Sequence, residues 1–448
     1  MATCLLLSGT AAAQPVEVSL DQGFQIARRA FAQQNYALAH LIAQQILQAK
    51  PKDVPALLLS AASAPYVGRA KDGRLDARKA YLSAESPAQK RSAATFAAVA
   101  SAQEKRPLLT QLWLRRAYQH SETEQQRSNI SAQYRKYRQI SPVRLFFSAT
   151  VAPSSNLNGG ADSQFLTIDG IYPVGVLSGS AQALSGTRAT VRGQLTYTLS
   201  EATTRKTTLS VSGSISRVDL SGEAKALAPD ISSRDLGDTQ LGVSLRHQIA
   251  PGRKPIPDTY SLGVGQTWFG GESYYTYLTL GLGRQFRVGQ DAIVRVGAEN
   301  TRQFYEDGRS TRDISTLRAG MTRRVREGDL LSFNLSLSRS NSDTQNDRYE
   351  AVYASLGYEL GEPIGPVSVA ATIGYGETRY DNYTLGFFRV PGGRVDKTTR
   401  LSLDLTLSET GYLGFVPQIN IAHNRTQSNV SRFERSTTGV GLSFVSAF

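Results

Sequence analysis

From Ser141-Pro142 onward apolar and polar residues alternate with a period of two, the spacing that sends successive side chains of a strand to opposite faces. Leu331, Phe333, Leu335 and Leu337 alternate with Ser332, Asn334, Ser336 and Ser338, and Leu401, Leu403, Leu405 and Leu407 with Ser402, Asp404, Thr406 and Ser408. A sheet of this kind has one oily face and one wet face. Soluble sandwiches meet that description too, so strand number and length decide between a protein core and a bilayer. The pattern predicts strands at 143–152, 187–199, 206–219, 234–249, 257–269, 273–287, 291–303, 312–325, 329–340, 348–360, 366–380, 394–408, 414–424 and 435–448. Fourteen strands, each of ten residues or more, fit a single-chain outer-membrane barrel, whereas sandwich strands average about five or six residues.

The connections give an independent reading. Those after even-numbered strands are compact, such as Arg326-Glu-Gly-Asp329, Gly361-Glu-Pro-Ile-Gly365 and Glu409-Thr-Gly-Tyr-Leu413, whereas 153–186, 220–233 and 381–393 are long. Short turns face the periplasm in such barrels and long loops face outside, which puts both barrel ends on the periplasmic side. The connection at 270–272 is too short for an outer loop and raises the expectation of a misplaced strand boundary. Arg192, Arg246, Arg295, Glu299, Arg318 and Asp404 fall on the polar phase and are expected to face the lumen, leaving it wet or plugged, since a charge facing lipid costs a few kcal/mol. Tyr274, Tyr275, Tyr277, Phe286, Tyr353, Tyr358, Phe387 and Phe388 sit toward strand ends and loops, where rings favour the bilayer interface. Gly441, Phe444 and terminal Phe448 look like the C-terminal signal read by the barrel assembly machinery, although Ser446 stands where a hydrophobic residue is usual.

Before Ser141 the pattern is helical. Residues 20–53 follow a 34-residue helix-turn-helix template, with small Ala27 and Ala39 where two helices touch, Asn35-Tyr36 at the turn and Pro51 closing the unit. This looks like one tetratricopeptide repeat, with Gly23 in place of its usual early aromatic and degenerate neighbours. Further helices are expected at 87–105, 107–119 and 122–139. The first residues read as a short apolar stretch ending in an A-x-A cleavage pattern at Ala13, without a basic leader. The expected organisation is therefore α+β multidomain: signal peptide 1–13, periplasmic tetratricopeptide-like helical solenoid 14–141, and transmembrane antiparallel β-barrel 142–448.

Charge and chemistry narrow the function. Of the net +13, most lies early: residues 14–141 hold 19 Lys and Arg against 9 Asp and Glu, the remainder 31 against 28. Basic surfaces bind nucleic acid, anionic lipid or acidic partners, and export removes the first. The single cysteine, Cys4, lies in the signal segment. His40, His120, His247 and His423 are widely spaced and lack neighbouring carboxylates or thiols in the sequence. Gly263-Val-Gly265 and Gly281-Leu-Gly283 sit inside strands and read as kinks or close packing rather than phosphate loops. No enzyme, cofactor or metal is expected, and a serine–histidine pair hidden in a strand is the disfavoured enzymatic alternative.

Helical repeats, then Ser141-Pro-Val-Arg-Leu-Phe-Phe147 as first strand, then Pro153-Ser-Ser-Asn156-Leu-Asn158, similar to a P-x-x-N-x-N stretch: this order resembles the surface lipoprotein assembly modulator family, the type XI secretion translocons. The resemblance implies a periplasmic tetratricopeptide domain joined to a fourteen-stranded barrel that delivers clients, often lipoproteins or haem- and metal-capturing proteins, to the cell surface. Expected partners are the exported client, the barrel assembly machinery, periplasmic chaperones and outer-membrane lipid, around a monomeric barrel. The loop 153–186 is the candidate gate or client contact. A polysaccharide exporter and a diffusion porin are the competing readings.

Overall fold

The structure is a computed structural model that describes residues 19–169, 171–250, 258–306, 311–326, 328–386, 388–407 and 411–446. The predicted signal segment and Phe387 lie outside the described residues, as does Phe448. The chain divides into two compact units between Ile140 and Ser141.

The first unit is a run of helices, several of them begun by a side chain that satisfies free N–H groups of the helix start, whereas the two that follow Arg69 and Arg106 have no side-chain cap. Ser19 and Gln22 form a reciprocal capping box on α1 (Leu20–Ala32). Asn35 accepts the Leu38 N–H on α2 (Tyr36–Ala49), and Asp53 that of Ala56 on α3 (Val54–Ser63). After α4 (Ala70–Ser83), Ser86 caps α5 (Pro87–Gln103), which opens on proline, as does α6 (Pro107–Gln119); α7 (Glu124–Ile140) follows. Ala27, Ala39, Ala43, Ala56, Ala61, Ala77, Ala80, Ala93, Ala97 and Ala117 are fully buried, so adjacent helices meet through methyl groups. Three helix pairs and a seventh helix result, where the sequence made only one repeat plain. An alanine seam buries little apolar area per residue, and its periodic signal is correspondingly faint.

Ala27 and Ala39 stand at that seam, Asn35 caps α2, and Pro51 is exposed in the following turn. Tyr36 stacks on Tyr66 with ring centres 4.1 Å apart and meets Phe31 edge-on. At Gly23 an added Cβ would rest 3.8 Å from Ile42.

The second unit is a closed antiparallel barrel of fourteen strands. These are β1 (Val143–Ser154), β2 (Gly186–Ala202), β3 (Arg205–Leu220), β4 (Asp238–Ile249), β5 (Asp258–Phe269), β6 (Glu272–Val288) and β7 (Ala292–Tyr305). The second half comprises β8 (Arg312–Arg324), β9 (Leu330–Ser342), β10 (Tyr349–Glu359), β11 (Val367–Tyr380), β12 (Arg394–Leu407), β13 (Phe415–Ser428) and β14 (Arg435–Ser446), which returns to β1. The short connection between β5 and β6 is a genuine two-residue turn. Gly270 and Gly271 take φ of 64° and 90°, and two consecutive positive φ angles are what a tight hairpin of the right twist needs.

Register carries the oily face around the wall. Leu145 pairs with Leu195, Leu195 with Val211, Val211 with Val243, Val243 with Val264, and Val264 with Leu278. Paired residues share a face, and all six of these are exposed. Each would cost about 1.5–3 kcal/mol left in water relative to an apolar surrounding, so the outer face requires lipid. Ion pairs on the same face flank the band: Arg302 with Asp313 at one rim (2.7 Å), and Arg284 with Asp258 at the other. On β6, Leu278, Leu280 and Leu282 lie between outward Thr276 and Arg284, about 26 Å along a tilted strand. This is an outer-membrane barrel.

Candidate functional site

The long connections after β1, β3 and β11 emerge at one end of the barrel, and their described residues fold together. Asn156 and Gly160 bond reciprocally: Asn156 Nδ2 donates to the Gly160 carbonyl (2.8 Å) and Gly160 N–H donates back (2.9 Å). Asn158 ties the two flanks of the loop. Its Nδ2 donates to the carbonyls of Ser180 (2.9 Å) and Gln182 (2.8 Å), and its Oδ1 accepts from the N–H of Leu184 (3.0 Å). Gly160 is required by proximity, because a Cβ there would lie 2.1 Å from the Gln182 carbonyl oxygen. Pro153 lies just before, as the penultimate residue of β1. The Pro153, Asn156 and Asn158 stretch thus closes the neck of the first loop on itself.

Beyond this neck the loop makes a hairpin from Phe165–Ile168 and Ile171–Val176. Ser431 holds it from the connection between β13 and β14, accepting from Thr167 N–H (2.7 Å) and donating to the Phe165 carbonyl (2.8 Å). Asp169 N–H donates to Asn429 and Asp162 N–H to Glu434. Two apolar clusters complete the loop end. Leu157 and Leu184 pack with Leu220, Ala224 and Ala228, whereas Leu166 and Ile168 pack with Tyr383, Val390, Val430 and Phe433. Arg394 at the head of β12 is caged: its guanidinium lies 3.6 Å from the Phe433 ring centre, 3.8 Å from Tyr380 and 4.6 Å from Tyr383, and pairs with Asp396 at 2.9 Å. Burial raises the Tyr383 phenol above its ordinary pKa, Arg394 opposing.

Register puts all six predicted lumen charges on the inner face, opposite in phase to the exposed leucines and valines of their strands. The structure brings two of them together: Arg318 bonds Glu299 at 3.0 Å, an exposed pair worth at most about 1 kcal/mol. Arg295 donates to Gln285 and Thr322 at 3.3 Å, and Asp404 accepts from Asn420 at 2.8 Å. Arg192 and Arg246 pair in register with Ser148 and Ser214, and with Thr208 and Ser261, respectively.

Three tyrosines expected at the bilayer interface, Tyr275, Tyr277 and Tyr353, lie on the inner phase of their strands. Tyr277 pairs with Gly265, and its ring covers inner-face glycines: a Cβ on Gly265 or Gly242 would meet it at 2.4 or 2.6 Å. Tyr353 likewise lies over Gly374 and Gly376, at 1.9 and 2.7 Å from such a Cβ. A ring lying flat on glycines takes little room from the lumen, and this pairing of distant residues is invisible to a reading of single strands. Phe286 and Tyr358 do face outward, Tyr274 and Tyr275 cluster with Tyr305 near the rim, and Phe388 is exposed in a loop.

Gly441 faces inward, where a Cβ would touch Ala152 and Thr150 of β1 at 3.4 Å, whereas Phe444 lies exposed on the outer face.

In the helical unit, His40 acquires neighbours that its sequence context did not show. Its Nδ1 lies 3.3 Å from Ser60 Oγ, whose hydroxyl donates to Asp76 (2.7 Å), and Gln44 donates to both. Ser60 is fully buried and its proton is engaged by the carboxylate rather than by the imidazole, which is not the geometry of an activated nucleophile. His120 meets Tyr81, His247 meets Thr207 and His423 meets Thr438. No group of three metal-ligating side chains occurs among the described residues.

Comparison with known proteins agrees with the sequence resemblance. Residues 261–448, from within β5 to the chain's last residue, match the family described as surface lipoprotein assembly modifier. The search of curated proteins finds no match. Among solved structures, an outer-membrane channel from Pseudomonas putida F1 is 11% identical over 67% of this chain and 95% of its own, with a TM-score of 0.34. Acinetobacter baumannii OccAB3 is 8% identical over 68% of this chain and 99% of its own, with a TM-score of 0.36. The type III secretion translocator chaperone SycD of Yersinia enterocolitica is 15% identical over 28% of this chain and 88% of its own, with a TM-score of 0.25.

Proposed function

We propose that this protein is an outer-membrane translocon of the type XI kind, delivering client proteins to the cell surface or exterior. The observation that carries the reading is the family match over residues 261–448, which takes in most of β5 and the nine wall strands after it. Surface lipoproteins and haem- or metal-capturing secreted proteins are the client classes the family suggests. Val143 and Ser446 lie at the short-turn end of the wall, the end that faces the periplasm in such barrels, which supports a periplasmic helical domain.

In this reading the basic helical unit receives a partly unfolded client from periplasmic chaperones. The client crosses the wet interior past the charges on its inner face and folds outside. Folding beyond the barrel supplies direction without a nucleotide site. The barrel assembly machinery would insert the wall through the C-terminal strand that carries Gly441 and Phe444.

The test is protease shaving of intact cells with and without this gene, following proteins encoded nearby. Loss of one protein from the surface with its retention in the periplasm is the expected result. Unchanged surface exposure would transfer the reading to polysaccharide export or passive diffusion.

A further inference from the structure

The wall is unevenly laced. Every other pair of neighbouring strands runs in register over ten residue pairs or more, whereas among the described residues, the last of which is Ser446, β1 and β14 pair at four positions: Ala149 with Phe444, Thr150 with Ser443, Val151 with Leu442, and Ser154 with Gly439. The register is constant through the gap, so no bulge explains it.

Proline does. Ser155 N–H donates to the Thr438 carbonyl, and alternate residues of a strand aim their N–H groups at the same neighbour. Position 153 therefore aims at β14, and Pro153 has no N–H to give. On its other side β1 is fully laced to β2, with residues 143–154 paired without interruption. The proline thus removes a rung from the seam alone. Across the remaining rungs, the side-chain bond Thr150 Oγ1 to Ser443 Oγ, at 2.7 Å, is the inner-face tie. On the outer face the seam carries Ala149, Val151, Leu442 and Phe444, which touch lipid whether the seam is shut or parted.

We propose that the barrel opens sideways into the bilayer between β1 and β14, and that a client in transit passes an apolar portion from lumen to lipid through this seam. The proposal rests on the transport reading above. Among the described residues this seam has fewer paired positions than any other pair of neighbouring strands, and opening it frees no charged side chain on the outer face.

Cysteine pairs test it cleanly, because Cys4 is the only native cysteine and is replaced by serine throughout. Thr150→Cys with Ser443→Cys spans the seam. Thr316→Cys with Ser338→Cys spans β8 and β9 at an equivalent inner-face pair, whose hydroxyls lie 3.1 Å apart, and serves as control. Oxidising the full-length protein in cells is expected to abolish surface delivery for the seam pair, to leave it unchanged for the control pair, and to restore it on reduction. Equal delivery from both oxidised pairs, or equal loss from both, overturns the proposal.

A second readout needs no client. In lipid nanodiscs, amides at 149–155 and 439–444 should exchange hydrogen about tenfold faster or more than those at 316–322 and 332–338, and Pro153→Val should narrow the difference. Exchange that is equal at the two strand pairs overturns the seam. Failure of the uncrosslinked protein to deliver any candidate overturns the transport reading instead, leaving the exchange contrast to decide the seam by itself.

Discussion

Arg394 lies 3.6 Å above the centre of the Phe433 ring, joining the head of β12 to the connection before β14 from 39 residues away in sequence. Its pairing with Asp396 and the rings of Tyr380 and Tyr383 leave the guanidinium with only 9% of its side-chain surface exposed. Removing one partner of a buried ion pair costs about 3–5 kcal/mol because the other charge is left uncompensated. Arg394→Ala is therefore expected to loosen the loop end while leaving the wall folded. Limited trypsinolysis should cut at Arg389 and Arg432 much faster than in the parent, and Arg394→Lys, with charge but no planar fork, should fall between. Unchanged cleavage would mean the cage holds nothing in place.

Asn158 should be the neck's most sensitive position. Alanine there abandons the bonds to Ser180, Gln182 and Leu184, each worth about 0.5–1.5 kcal/mol, and aspartate adds repulsion toward two carbonyl oxygens. Chymotrypsin should then reach Phe165 and Leu166 in folded protein. Asn158→Asp is expected to be cut faster than Asn158→Ala, and the reverse order would count against the closure role.

The tyrosines on the inner wall predict a coupled pair. Gly374→Ala drives a methyl group into Tyr353 and should lower the temperature at which the folded barrel band is lost on semi-native gels, consistent with an overpacking cost of about 1–3 kcal/mol. Tyr353→Ser in the same chain should recover most of the loss. Failure of the double variant to recover would show that the ring is not what the glycine accommodates.

Acid should weaken the helical unit. Burial, with a contribution from Arg69, lowers the His40 pKa, and Asp76 only partly opposes it. Its Nε2 is buried without a hydrogen-bond partner, so the neutral ring is the form that fits. His120 is also lowered, by burial and by Lys90. A depressed histidine pKa means that the unfolded chain binds protons more readily, so stability is lost as pH falls below the unfolded value of about 6.5. Helical thermal melting of the full-length protein should move to lower temperature between pH ~7.5 and pH ~5.5, and His40→Gln should remove part of that shift. A pH-independent melt would refute this account.

What the sequence alone determined is the wall: its strand number, its ends to within four residues, and its oily and wet faces. Period-two alternation is a local property, enforced residue by residue by the cost of putting a charge against lipid. Tertiary structure decided everything that depends on which distant segments meet. Asn156 and Asn158 read as loop residues until the far flank at 180–184 arrived to be tied. Gly265 read as a kink or a close-packing site until Tyr277 from the neighbouring strand lay across it. His40 read as isolated until α3 and α4 brought Ser60 and Asp76 to it. The thin lacing between β1 and β14 exists only because the barrel closes, bringing Pro153 opposite a strand nearly 300 residues away, and closure is a relation between strands that no single strand encodes.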